Sequence, residues 1–232
     1  MQPILYIKGS SSRDVRLRKF LYYFINNNMK VSFWGWDRNC ENQMIDGVST
    51  KYIHHGGSRS KKQTMINYLI WMIKLFFKLL FTKNLKKYNI IAINFDSCFP
   101  IYVISKIRKI KFFYEVYDEF ALSYNFSSRI KNVIRKLDHK IMDQATKVIH
   151  VDSNRCLYDK KYIIIENTPY DFLNGVERDY SQLERTFAII GYFSPTRGLD
   201  QIYKFAKNNP QLNFLLVGVF ANNEEYKEKF SN

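Results

Sequence analysis

The chain has 232 residues, 46% apolar and 17% aromatic, enough to bury a full core in one large or two modest domains, so a disordered chain is excluded. Its cysteines, Cys40, Cys98 and Cys156, are odd in number, far apart and without CxxC spacing, which argues against a disulfide framework or a zinc site and fits a reducing cytosol. The net charge of +15 is carried entirely by residues 1–112, with 20 Lys and Arg against 5 Asp and Glu, a field that attracts an anionic membrane surface or a nucleic acid.

Residues 3–7 form a short buried-strand run, and Met1 leads straight into it, so no secretory signal is read there. Residues 8–12 are a polar turn ending in Ser12 as a helix cap. From Arg13 the apolar positions Leu17, Phe20, Leu21, Phe24 and Ile25 keep helical spacing, with Arg16, Arg18 and Lys19 turned outward. Residues 31–36 return as a strand, completing a β-α-β unit. The first turn holds one glycine where a GxGxxG fingerprint has three, which disfavours an NAD or FAD site. Residues 48–53 read as another short strand and 54–58 as a flexible loop. Its adjacent histidines, His54 and His55, have no carboxylate or cysteine at ligand spacing, so no metal is expected.

Residues 65–81, MINYLIWMIKLFFKLLF, are the most apolar stretch. A membrane span needs about 20 predominantly apolar residues, and Lys74 and Lys78 near the middle would each cost roughly 2.5 to 3.5 kcal/mol. As a helix the stretch instead gathers Asn67, Trp71, Lys74 and Lys78 in one narrow stripe opposite a wide apolar face. With Lys83, Lys86 and Lys87 beyond, it is expected to lie in a membrane interface with Trp71, Lys74 and Lys78 facing the membrane.

Apolar runs at 90–93, 112–116, 148–151 and 163–165 then alternate with helical segments around 98–109 and 128–144, the pattern of a doubly wound parallel sheet. Ligands of open parallel sheets bind beyond the carboxyl ends of the strands. Those ends here carry Gly9 and Ser10, Asn94 with Asp96 and Ser97, Tyr117 with Asp118, Asp152 with Ser153, and Asn167. Amides and carboxylates suit vicinal sugar hydroxyls, and Gly9, Ser10, Tyr117 and Asp118 are the candidate acceptor-binding residues.

Residues 168–185 lack apolar periodicity and read as a linker. Residues 186–218 then give strand, glycine turn, helix, Asn-Pro turn and strand, a right-handed crossover that opens a second α/β domain. Gly191 follows its first strand, and Arg197 and Gly198 stand where the helix begins. A helix N-terminus with an arginine fork is suited to phosphate oxygens, so Gly191, Arg197 and Gly198 are the candidate diphosphate site. The domain plan is therefore 1–168, a linker at 169–185, and 186–232.

Five stretches carry a family resemblance: the opening strand-turn-helix, YEVYDE at 114–119, ATKVIHVDSN at 145–154, IIENTP at 164–169 and IIGYFSPTRGLDQI at 189–202. Together they resemble the retaining glycosyltransferases of the family 4 type. That resemblance implies the GT-B fold, two Rossmann-like parallel-sheet domains facing a cleft. It also implies sugar transfer from a nucleotide-sugar donor with retained configuration, no metal or other cofactor, and a basic pair at the diphosphate. Arg197 stands at the second basic position and Tyr192 at the first, while Tyr117 replaces a histidine common in the acceptor domain. A Rossmann-like domain begun at 186 would need on the order of 100 more residues, so the second domain is expected to be incomplete. The expected partners are the nucleotide-sugar, a lipid-linked or polysaccharide acceptor and an anionic membrane surface on its cytoplasmic face. No nucleic-acid motif is recognisable. The alternative is a non-catalytic membrane-docked subunit whose donor domain comes from a partner chain.

Overall fold

The structure, a computed structural model, describes residues 2–10, 12–57, 60–123, 126–153, 162–168, 186–194 and 198–220. It divides into two compact units, residues 1–169 and 170–232. The segment read as a linker, 169–185, lies outside the described residues.

The first unit is built on seven parallel strands, β1 (Ile4–Lys8), β2 (Val31–Asp37), β3 (Val48–His55), β4 (Asn89–Ile93), β5 (Phe112–Val116), β6 (Lys147–His150) and β7 (Ile163–Ile164). Their order is β3-β2-β1-β4-β5-β6-β7, so the winding reverses between β1 and β4, as in a Rossmann-like sheet. The helices are α1 (Val15–Asn26), α2 (Lys61–Phe81), α3 (Asn94–Arg108), α4 (Phe120–Ser123) and α5 (Ser128–Gln144). Every residue of β1 is buried, because alternate side chains enter two cores. Ile4 and Tyr6 join Leu17 and Leu21 of α1, whereas Leu5 and Ile7 join residues of α2, α3 and α5.

Three local expectations are corrected. Asp14, not Ser12, caps α1: its Oδ1 accepts from Leu17 N at 2.9 Å, while the Ser12 hydroxyl donates to the Gln43 carbonyl at 3.2 Å. His54 and His55 continue β3 because they pair in parallel with Trp36 and Asp37. Arg16, expected outward, is 95% buried because its partner, Glu115, lies inside the sheet.

The largest correction concerns α2. It is long and apolar enough to cross a membrane by length and composition. Yet Trp71, Leu75 and Leu79, one turn apart, are fully buried against the sheet. Trp71 therefore does not face a membrane. The exposed row is apolar instead: Ile66, Leu69, Ile73, Phe77 and Phe81. Lys74 and Lys78 lie toward the sheet edge, with Lys74 Nζ 3.4 Å from His54 Nδ1 and Lys78 Nζ 5.5 Å from the Trp34 ring centre. Their stems cover apolar surface, so this stripe satisfies the protein rather than lipid phosphates. At the end of α2, Arg108 Nη1 donates to the carbonyls of Leu79 and Thr82 at 2.9 and 2.6 Å.

The second unit, among the described residues, is a parallel pair, β8 (Thr186–Phe193) and β9 (Asn213–Phe220), joined by α6 (Leu199–Asn208). Its small core is Phe193 and Leu199, with Ile189, Leu216 and Phe220 packed against them.

Candidate functional site

The site grows from a charge that the sheet cannot leave unpaired. Glu115, next to the last residue of β5, has no exposed surface, and a bare carboxylate there would cost several kcal/mol. Two donors surround it. The Tyr6 hydroxyl reaches one oxygen from β1, and Arg16 Nε donates to the other at 2.9 Å from the first turn of α1. Burial pushes the Glu115 carboxyl up, while Tyr6 and Arg16 pull it back toward the charged form. Burial likewise pushes the Tyr6 hydroxyl well up, so it remains a donor.

A second pair sits beside the first. Lys8 ends β1 with its ammonium 2.6 Å from Asp14 Oδ2, the same carboxylate that caps α1. Burial lowers the Lys8 ammonium and Asp14 opposes that shift. The Tyr117 ring lies against both cations, 4.0 Å from Lys8 Nζ and 5.3 Å from Arg16 Cζ. Its amide donates to Asn94 Oδ1 at 2.9 Å, which ties the end of β5 to the end of β4.

Above this layer opens a cavity of about 460 Å³, whose polar lining is Asp14, Arg16, Tyr117, Asp118, Asp152 and Asn167. Arg16 Nη2 and the Tyr117 hydroxyl are both buried, with the guanidinium beside the hydroxyl. Three carboxylates and an amide beside this buried pair can accept from hydroxyl groups on several sides, a lining suited to a sugar.

Of the residues expected at an acceptor site, the structure brings Tyr117 and Asp118 to this cavity. Gly9 is elsewhere. It is buried, its N–H donates to Ser97 Oγ at 3.0 Å, and its carbonyl accepts from Arg38 Nη2 at 2.6 Å. A β-carbon there would stand 2.1 Å from Asp96 Oδ2 and 3.1 Å from Trp71 Nε1, so the close approach that requires glycine is to the protein's own side chains. Ser10 is half-buried and does not line the cavity. Arg16 and Asp14 are the residues that sequence reasoning missed. The available signal was Glu115 itself, because a carboxylate in a run as apolar as FFYEV demands a buried cation.

In the second unit, Gly191 sits within β8, opposite Gly218 of β9. Gly198 is the N-cap of α6 with φ of +81°, a left-handed conformation that favours glycine. Arg197 lies outside the described residues. Among the described residues no cluster of three or more His, Cys, Asp or Glu is arranged to hold a metal ion.

No protein-family model matches the sequence, and no curated protein matches it. Solved structures do. The chain is similar over its whole length to a sucrose-phosphate synthase from Thermosynechococcus elongatus, with a TM-score of 0.65 and 12% identity, covering 67% of that protein. It is similar over its whole length to a UDP-N-acetylglucosamine 2-epimerase from Rickettsia bellii, at 0.53 and 13%, covering 65%. It also matches, over 98% of its length, MurG from Acinetobacter baumannii at 0.52 and 9%, covering 71% of that protein. Identities this low carry the fold alone: the chain has the α/β architecture of the Rossmann-like GT-B proteins.

Proposed function

We propose that this protein serves the transfer of a sugar from a nucleotide-sugar donor to a lipid-linked or polysaccharide acceptor at the cytoplasmic membrane face, with retention of configuration. The observation that carries the reading is the polar cavity at the carboxyl ends of β5 and β6, lined by Arg16, Tyr117, Asp118, Asp152 and Asn167. Asp118, Asp152 and Asn167 accept from the acceptor's hydroxyl protons, while the buried Arg16 and Tyr117 beneath them hold the floor of the cavity in place. The family resemblance assigns the donor diphosphate to Gly191, Arg197 and Gly198, where the α6 N-terminus and an arginine fork would offset charge growing on the leaving group. No metal is needed for that role.

The test uses the full chain with UDP-, GDP- and ADP-linked sugars, with and without membrane-extracted lipid acceptors, and reads nucleoside diphosphate release. Release that depends on acceptor supports the proposal, and the anomeric configuration of the product decides retention. Asp118→Ala should lower transfer at least tenfold through the acceptor KM, and Arg197→Ala should abolish it. No donor consumption under any pairing would overturn the transferase reading.

A further inference from the structure

The first unit carries a second cavity, of about 300 Å³ and with no polar lining, bounded by α2, α3 and α5. Met65 and Leu69 form one wall, Phe95 and Phe99 the floor, and Ile130 and Ile134 the other wall. Soluble surfaces seldom leave such a groove open without a use.

Two connections identify what enters it. One leads to the polar cavity. The turn after β5 supplies Tyr117 and Asp118 to the polar cavity and, two residues on, Phe120 to the apolar one. Glu119, between them, accepts from Arg135 Nε of α5, which fixes this turn to the groove wall. Tyr68 likewise gives its ring to the groove, while its hydroxyl accepts from Arg38 Nη2 at 2.7 Å.

The other connection leads to the outside. Met65 and Leu69 belong both to the groove and to the exposed apolar side of α2, which continues through Ile73 and Phe77 to Phe81. At 1.5 Å per residue this helix is about 30 Å long. Lys62 precedes this apolar row and Lys83, Lys86 and Lys87 follow it, all four exposed, and residues 47–95 contain no Asp or Glu. Such a surface is complementary to anionic headgroups above acyl chains. A chain leaving that layer along α2 reaches the groove without crossing water.

We infer that the groove holds one hydrocarbon chain of the lipid-linked acceptor, drawn from the bilayer along α2, with the sugar head beyond the turn at residues 117–120. This rests on the transfer reading above and names where its lipid binds. The chain supplies affinity and the head supplies position.

The probes are dansyl-undecanoic acid and dansyl-hexanoic acid, titrated against the full chain without membranes. Each buried methylene contributes about fourfold in affinity. The longer probe is therefore expected to bind at least a hundredfold more tightly, with blue-shifted emission. Leu69→Glu and Ile130→Glu, at rim positions 56% and 47% exposed where the fold tolerates change, should each weaken it at least tenfold. Phe77→Glu should leave probe binding unchanged and weaken association with phosphatidylglycerol vesicles. Equal affinity for both probes, or equal affinity in wild type and both rim variants, would overturn the inference. So would a dimer dispersed by Leu69→Glu, which would assign the groove to a second copy. Transfer to a water-soluble acceptor separates the two proposals: if it persists while the probe fails to bind, only the groove assignment falls. If probe binding survives and no sugar is transferred, only the transfer reading falls.

Discussion

β1 and β8 read alike, as apolar runs ending in a glycine turn, but they have different surroundings. β1 is buried along its whole length, whereas in β8 Ile190 is 79% exposed, and Val219 of its neighbour is 64% exposed. A parallel strand is buried by layers on both faces. The first unit supplies both, α1 on one side and α2, α3 and α5 on the other. Among its described residues the second unit supplies α6 alone. Strand composition records the intention to be buried; the layers carry it out. Among the described residues, charged side chains are buried only where both layers are present, at Lys8, Arg16, Asp37, Asp96, Glu115 and Asp138.

The sharpest way to break that contrast is to unpair one of those charges. Glu115→Ala leaves Arg16, 5% exposed, without its carboxylate, and should destabilise the first unit by about 3–5 kcal/mol. The three tryptophans, Trp34, Trp36 and Trp71, all lie in the first unit, so their emission during urea unfolding reads that unit selectively. An unchanged midpoint would show that water reaches Arg16 and that the first unit is less closed than its core implies.

Next in size is a pH effect. Burial raises Asp138 to about 6, although the Tyr114 hydroxyl donates to it at 2.6 Å and favours its charged form. A carboxyl raised in the folded state binds its proton more tightly there than in the unfolded chain. Its contribution to stability is therefore intact below about 4, is lost as pH rises from about 4 to 6, and stays lost above that. The shift of about two pH units corresponds to about 3 kcal/mol. Asp138→Asn keeps an acceptor for Tyr114 and removes the ionisation, so stability between pH 4 and 6 should vary less and stability at pH 7.5 should rise. Asp96, also raised to about 6 by burial, supplies a parallel slope that remains in this variant.

Most of the architecture was legible because period and punctuation agreed. Runs at 112–116 and a helix at 128–144 appear in the structure with those bounds. What sequence could not show was direction. The stripe holding Trp71, Lys74 and Lys78 is polar by count, yet it faces the sheet because His54 and Trp34 offer partners and Trp71 is large enough to fill the core. Arg16 reads as an outward residue on the helical wheel until a carboxylate from a strand far along the chain, Glu115, requires it. Gly9 reads as a ligand-approach glycine, and its close neighbour is Asp96. Each of these misreadings follows from a contact distant in sequence, to which local periodicity is blind.

A smaller effect is expected in the second unit at Gly198. With φ of +81° at the N-cap of α6, a side chain there meets strain of about 1–2 kcal/mol, although the nearest atom, Gln201 Oε1, would be 3.6 Å from the added carbon. Gly198→Ala should therefore speed amide exchange in α6 roughly tenfold and leave tryptophan emission unchanged. If α6 exchange does not respond, this turn is not held in the left-handed conformation in solution.

The smallest effect expected is at Ile190, and it tests the contrast between the units most directly. Ile7 of β1 is fully buried, so Ile7→Ala removes packed methylenes and should cost about 2–5 kcal/mol. The same substitution at Ile190, 79% exposed, removes contacts that the described residues do not make and should change stability by less than about 0.5 kcal/mol, read by amide exchange across β8. A cost near that of Ile7 would mean that a layer covers this face of β8 in solution, supplied by the chain itself or by a partner. Repeating the measurement across a hundredfold range of protein concentration separates these sources, because only the partner's contribution grows with concentration.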